Sequence, residues 1–470
     1  MMVVSLAVWV GFVVLSQGAS WAQNSVKAPE SPLTLDQAVS FALANYPAVR
    51  ASMERALASK AGVSLSRTAY LPRTDLLWQS NRATRNNIFG LYLPQTVVPP
   101  VSGPVLSSTS DRGVWGSMAG LLLSWEPFDF GYREANVEVA RAAQGRANAE
   151  LSLTKLEVAG AVGDAFLRLA AAQEQVQAAA ADVDRRQVLA TSVHALVKEE
   201  LRPGADASRV DAELAAAKIQ LIRAQEVERE GEATFAEMLG IPGTKVAISA
   251  DSLLTASPAA YGSQEPLANH PAALAANSTL SETKAREKVL SKSYYPRFNL
   301  QGSFSGRGSG ANTDGTFGTG TDGLDLMRHN WAVGLTATFS VLDFPALHFK
   351  KQVEQSNERA QQAEYNKTVQ NLTAQAERAK AAYDSAVLVS QNTPVELEAA
   401  RLGEKQASAR YQAALAPIVE VAEAQRLLLQ AETDDNVARL TVWRAMLGQA
   451  LAEGNVDPFL ALVRSAAGGK

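Results

Sequence analysis

The 470-residue chain contains no cysteine. That excludes disulfides, thiol catalysis, cysteine-based zinc sites and a lipid-modified N-terminal cysteine. Any anchoring must therefore be non-covalent. Excess charge is also missing: 44 basic residues stand against 48 acidic ones, which leaves no basic footprint for nucleic acid. The only histidines, His194, His270, His329 and His348, are scattered without metal-ligand spacing. Nucleophile elbow, phosphate loop and dinucleotide fingerprint are all absent. The sequence thus predicts neither enzymatic activity nor a cofactor nor a bound metal. Beyond the N-terminal segment no apolar run reaches about 18 residues, so no transmembrane helix is expected after export. Strands of a membrane β-barrel give only weak local signals and stay possible.

What is present begins with an apolar run, Val3 to Leu15, followed by small residues ending in Ser20-Trp21-Ala22. This pattern predicts a signal peptide over residues 1–22, cleaved before Gln23. No Lys or Arg precedes the run, which fits a misassigned start or a weak signal. A buried N-terminal helix is the alternative.

The remainder repeats itself. Leu43-Ala44-Asn45-Tyr46-Pro47-Ala48 recurs as Leu267-Ala268-Asn269-His270-Pro271-Ala272, and Tyr70-Leu71-Pro72-Arg73 meets Tyr294-Tyr295-Pro296-Arg297 at the same offset of 224. Further on the offset becomes 214, pairing Trp125 with Phe339 and Phe128-Asp129-Phe130 with Leu342-Asp343-Phe344. One register kept over such a length indicates duplication. The predicted first repeat is 23–265, with a β-hairpin at 73–125, a coiled coil at 131–239 and a connector at 240–265. The second is 266–470, with a helix at 271–293, a hairpin at 297–341, a coiled coil at 346–452 and a C-terminal segment.

Local chemistry supports these elements. Thr34-Leu35-Asp36-Gln37 has the form of a capping box, and Pro47 and Pro271 stand where a helix's first turn tolerates a missing N–H. After Pro72 and Pro296 the period drops to two. Phe298, Leu300, Gly302 and Phe304 alternate with Asn299, Gln301, Ser303 and Ser305, and Trp331, Val333, Leu335, Ala337 and Phe339 with polar or small residues. Ala119, Leu121, Leu123 and Trp125 repeat the pattern, although Leu122 breaks the polar side. Such strands suit a lipid-facing barrel wall or a half-buried hairpin on a core. Long loops over about Arg82 to Gly113 and Arg307 to Arg328 fit external barrel loops or disordered insertions.

From Gly131 to Arg202 there is no proline, and Val158, Val162, Ala165, Phe166 and Leu169 recur at three and four. One helix of roughly 100 Å is predicted. A turn at Arg202 to Asp206 sends the chain back along Ala207 to Leu239, and the second copy does likewise around Ala414-Leu415-Ala416-Pro417. Pro394 lies inside the second long helix and predicts a kink. Helices this long with two amphipathic hairpins are expected not to close on a core of their own. Four strands are too few for a barrel, whereas three copies would supply twelve.

In these features the sequence resembles the TolC-type outer-membrane factor family. Asn-Tyr-Pro and Asn-His-Pro, Tyr-Leu-Pro-Arg and Tyr-Tyr-Pro-Arg, Phe128-Asp129-Phe130-Gly131, and Arg410-Tyr411 before the second tip carry the resemblance across essentially the whole mature chain. It implies a mainly α fold with a membrane β-barrel portion. Long antiparallel coiled-coil helices would form a periplasmic α-barrel, and four strands per protomer would join a 12-stranded trimeric β-barrel in the outer membrane. The implied function is a passive exit duct of a tripartite efflux pump or type I secretion system. Its implied partners are outer-membrane lipid, a periplasmic adaptor and an inner-membrane pump of RND, ABC or MFS type. A periplasmic coiled-coil adaptor or scaffold is the runner-up, though it leaves the amphipathic hairpins unexplained.

The resemblance also assigns a periplasmic gate. Tyr411 matches a tyrosine and Asp211 approximately matches an aspartate that together hold the tunnel shut, while Ala414 and Ala416 stand at the family's glycine and arginine positions. Part of that clasp is therefore missing. Glu420 and Glu423 fall where the family places acidic rings; three apart on a helix, they share a face. Solvation on an outer face is the alternative. Adaptor docking is expected at Leu201, Arg202, Pro203, Gly204 and Ala205 of the first tip and at Arg410, Ala414, Leu415 and Ala416 of the second. The first turn reads as one residue longer than the second before its acidic residue.

Overall fold

The computed structural model describes residues 31–84, 109, 111–255, 266–312 and 316–468. The expected signal peptide, most of the first long loop and the end of the 240–265 connector lie outside the described residues.

Each repeat opens on short helices. α1 (Leu35–Asn45) starts at the capping box, where the Gln37 amide donates to Thr34 Oγ1 at 3.4 Å and the Thr34 amide to Gln37 Oε1 at 3.1 Å. α2 (Pro47–Arg67) begins at its proline. β1 (Arg73–Thr84) and β2 (Gly113–Phe128) then form the first hairpin, the latter running past the expected end at Trp125. Asp129 switches strand to helix by accepting from the amides of Gly131 (3.1 Å) and Arg133 (2.7 Å). There it caps α3 (Tyr132–Lys198), 67 residues long.

α4 (Gly204–Met238) returns antiparallel. Its start at Gly204 corrects the expected Ala207, and α3 ends at Lys198 instead of Arg202. A short α5 (Asp251–Thr255) lies in the connector. The second repeat follows the same order: α6 (Pro271–Lys292), β3 (Arg297–Ser309), β4 (Arg328–Thr338), α7 (Phe344–Gln412), α8 (Ile418–Glu453) and finally α9 (Asp457–Gly468). α7 continues through Pro394 as a helix, giving up the amide that would bond to Ser390.

The four strands make one antiparallel sheet in sequence order. Its register aligns Leu76, Leu121, Phe304 and Trp331 in one row and Thr74, Leu123, Gly302 and Val333 in the next. The intervening row, Asp75, Leu122, Ser303 and Ala332, belongs to the opposite face. Leu76, Phe304 and Trp331 are 83%, 61% and 77% exposed. No described strand pairs with the outer edge of β1 or of β4.

The expectation that a single chain lacks a core is corrected. Midway along the molecule α1, α3, α4, α8, α9 and the connector converge on Phe166, Phe235, Trp443 and Phe459, all fully buried. Phe166 meets Phe235 edge-on at 5.8 Å, and Trp443 Nε1 donates to the Leu253 carbonyl at 2.9 Å. α3 and α8 approach closely because Gly160 and Gly163 leave room for Leu451 and Leu447. Burying such a side chain contributes about 2 kcal/mol. The sheet's apolar row forgoes that gain in the isolated chain, so it is the sheet, and not the helical centre, that lacks a covering.

Candidate functional site at the paired helical tips

Both hairpin tips are the same turn. In the first, the Leu201 amide reaches back to Leu196 O at 2.9 Å and Glu200 takes a left-handed φ of 59°. The second has the Leu415 amide on Arg410 O at 2.8 Å and Ala414 at φ 59°. Proline then caps each return helix, Pro203 for α4 and Pro417 for α8. The offset of 214 thus pairs Leu201 with Leu415, Arg202 with Ala416 and Asp206 with Glu420. The reading of a longer first turn is corrected: each acidic residue follows its proline by three. Leu201 and Leu415 project into solvent, 68% and 71% exposed, whereas Ala416 is buried.

Between the tips lies Tyr411, only 2% exposed. Its ring is covered by the Arg202 guanidinium at 4.5 Å, and Arg202 Nη2 donates to the Tyr411 carbonyl at 2.7 Å. The Tyr411 hydroxyl donates to Asp206 Oδ2 at 3.3 Å. Burial, and then the Asp206 charge, raise the phenol's pKa above its ordinary 10.0, which keeps it a donor. The first hairpin therefore grips the second through one cation–ring contact and two hydrogen bonds.

Asp211, the expected partner, sits elsewhere. It lies 2.8 Å from His194 Nε2 on the exposed side of α3 and α4. Asp206 holds the position against Tyr411, and sequence reasoning missed it. The signal existed: at the 214 offset Asp206 is the counterpart of Glu420, and Arg202 of Ala416, the very position where the resemblance looks for arginine. Arg202, on the first tip, sets a cation against Tyr411 of the second.

Glu420 and Glu423 do share a face, and both line a cavity of about 780 Å³ between α7 and α8, together with Glu396 and Glu404. Neither is bare. Arg410 Nη1 donates to Glu420 at 2.8 Å, and Arg426 grips Glu423 through two bonds of 2.7 and 3.0 Å. The hydrogen bonds from Arg426 hold the Glu423 carboxyl below the usual carboxylate range. Among the described residues there is no cluster of three metal-ligating side chains, and no helix is long and apolar enough to cross a membrane.

A sheet with an exposed apolar row, carried on paired helical hairpins of this length, is the architecture seen in solved outer-membrane channels. The outer membrane protein VceC from Vibrio cholerae shares the fold with a TM-score of 0.70, at 16% identity over 90% of this chain and 96% of that one. The sequence matches the outer membrane efflux protein family over residues 38–240 and 262–448, and the chain belongs to that family, which places it in the outer membrane. Among relatives, protein CyaE of Bordetella pertussis is 22% identical over 322 residues, 63% of this chain and 64% of that protein's length. The pyoverdine export outer membrane protein OpmQ of Pseudomonas putida is 26% identical over 351 residues, covering 73% of this chain and 71% of that one.

Proposed function

We propose that this chain is one protomer of a homotrimeric, passive exit duct that carries substrate across the outer membrane. The duct would receive its substrate from a periplasmic adaptor and an inner-membrane pump of RND, ABC or MFS type. The observation that carries the reading is the sheet: its apolar row is exposed and both edges are unpaired among the described residues. Hydrocarbon tolerates no open sheet edge, so copies must pair β4 of one with β1 of the next, lipid then covering the outer row. Leu201, Leu415 and their flanking turns offer the adaptor its contact, since they are the exposed apolar ends of both hairpins. The duct carries out no bond chemistry, and the energy for transport comes from the pump.

In this reading the Arg202–Tyr411–Asp206 clasp is the periplasmic gate, and Glu420 and Glu423 line its constriction. Their arginine partners reduce the net charge of each acidic ring, so cation preference should be modest. Purified protein in a planar bilayer tests both points. A conducting outer-membrane trimer is expected, and Glu420→Ala with Glu423→Ala should shift the reversal potential toward anions. A soluble periplasmic monomer would end the duct reading, and an unmoved reversal potential would end the ring assignment.

A further inference from the structure

Above the clasp the two hairpins are joined again where Arg185 of α3 forks onto Glu432 of α8 at 2.9 and 3.3 Å. Between these two attachments they part. The gap is a cleft of about 450 Å³ that runs from Arg185 to Tyr411, walled by α3 on one side and α7 on the other, with Gln425 of α8 reaching it. The α3 wall carries Val188, Leu189 and Leu196 at helical spacing, and the α7 wall carries Glu404 and Ser408. A mainly apolar wall facing a polar one, in a space of this size, is the composition of a small-molecule site.

The duplication shows what is unusual in the cleft. At the 214 offset Ser408 and Gln425 are the counterparts of His194 and Asp211. In the first hairpin that pair closes on itself, with His194 Nε2 2.8 Å from Asp211 Oδ1. In the second, the Ser408 hydroxyl donates instead to Glu404 at 2.9 Å. Gln425, only 3% exposed, is left with an Oε1 that accepts no hydrogen bond among the described residues. A vacancy of the opposite kind borders the same cleft: Glu432 takes up Arg185 Nη1 and Nη2, while the buried Arg185 Nε has no acceptor among the described residues. A buried polar atom without a partner is costly, so two of them beside one cleft mark a place where partners come from outside the chain. Water meets each vacancy singly but gains nothing from the apolar wall.

Charge narrows the occupant. Asp184 and Glu404 both line the cleft, and among the described residues neither has a cation within ion-pair distance, whereas Glu432 balances Arg185. The unbalanced charge facing the cleft is therefore negative. We infer that the cleft binds a small amphipathic cation. Its ammonium group donates to Gln425 Oε1 and to the Glu404 carboxylate, a nearby hydroxyl or carbonyl oxygen accepts from Arg185 Nε, and an apolar body covers Val188, Leu189 and Leu196. Several N–H donors on one charged nitrogen suit acceptors carried on two helices, α7 and α8, which a neutral or anionic group of the same shape does not. Because α3 belongs to the first hairpin and α7 and α8 to the second, the ligand bridges them, and occupancy stabilises their paired arrangement. The inference needs only the cleft and stands apart from the duct reading.

Phenylalaninol is a suitable probe, a protonated amine at pH 7 with an adjacent hydroxymethyl group and a benzyl body. Titration calorimetry on the full-length protein in nanodiscs, with empty nanodiscs as the blank, should show one saturable site per chain. The expected Kd is about 0.1–1 mM, within reach of a ligand of about eleven heavy atoms. 3-Phenylpropan-1-ol, which lacks the ammonium group, and 3-phenylpropanoate, which reverses the charge, should bind at least about 10-fold more weakly. Glu404→Gln and Gln425→Leu should each weaken phenylalaninol binding about 10-fold. Ser192→Trp, on the exposed edge of the α3 wall, should fill the cleft and abolish binding, with unchanged helical circular dichroism as the check on folding. Glu398→Gln removes an exposed α7 carboxylate that does not line the cleft, and it should leave the affinity as it was. The site is overturned if phenylalaninol shows no saturable binding below about 10 mM, the result for a cleft that holds water alone. It is equally overturned if the alcohol binds as well as the amine, or if Glu398→Gln weakens binding as much as Glu404→Gln, the mark of diffuse attraction to an acidic surface.

Discussion

Ala414 carries a left-handed backbone on a residue with a Cβ, a conformation that costs roughly 1–2 kcal/mol outside glycine. The strain is local, so removing it tests how tightly the tip is held. Ala414→Gly should raise stability by about 0.5–1 kcal/mol after the added freedom of the unfolded chain is counted. The thermal midpoint should rise; a fall would show that the alanine methyl makes a contact worth more than the strain. Tyr411 shows the limit of reading residues singly. Its importance is legible from Arg410-Tyr411 in the sequence, yet its partners are Arg202 and Asp206, more than 200 positions away. Neighbours on one helix follow from periodicity, whereas partners on another hairpin depend on where two long elements come to rest.

Among the elements, the junction of α6 with the end of α8 is the most sharply constrained. His270 caps α6 by accepting from the Ala272 amide on Nδ1 at 3.0 Å, so Nε2 carries the proton and donates to Leu451 O at 3.1 Å. Burial lowers the His270 pKa below its ordinary 6.5. The neutral ring belongs to the folded state. The junction's stability is therefore complete above about pH 6.5 and falls as the pH drops through that value toward the lower folded pKa. Thermal midpoints should decline between about pH 7.5 and 5.5. His270→Asn, which caps without titrating, should flatten that slope, and a slope left unchanged would point to another group.

Gly454 closes α8 at φ 85°, where a Cβ would lie 2.7 Å from Pro271 Cδ. Gly454→Ala should cost about 2 kcal/mol, read as a lower midpoint for loss of helical circular dichroism. The elements themselves were largely visible in the sequence, from the capping box at Thr34 to the prolines opening α2 and α6. Their ends were less so, as the early start of α4 at Gly204 shows. A proline-capped helix can begin at any small residue that follows, and only the turn geometry selects one.

At the scale of the whole molecule the sheet's two faces make opposite demands. Val333 belongs to the exposed apolar rows and Thr336 to the other face, opposite Asn299. In the proposed trimer, Val333→Arg should destabilise the assembled barrel by about 2–4 kcal/mol, while Thr336→Arg should be nearly neutral, because a charge is costly in lipid and cheap in a wet lumen. Heat resistance of the detergent-solubilised protein measures the difference. Equal effects of the two substitutions would place both faces in the same surroundings. The helical centre behaves differently: Trp443 and Phe459 pack within one chain, so that part of the fold needs no second copy.

Period and composition alone set the order of elements, the duplication, the alternation of the strands and the length of the helices. Each of these depends on interactions over a few residues, or on a register that repeats along the chain. Tertiary structure decided the rest: a core at mid-height where helix ends meet the connector, Asp206 in place of Asp211, and Arg202 of the first tip laid over the Tyr411 ring of the second. Those outcomes depend on how two hairpins of about 100 Å settle against each other. A shift of one helical turn would exchange every partner while leaving each local pattern intact.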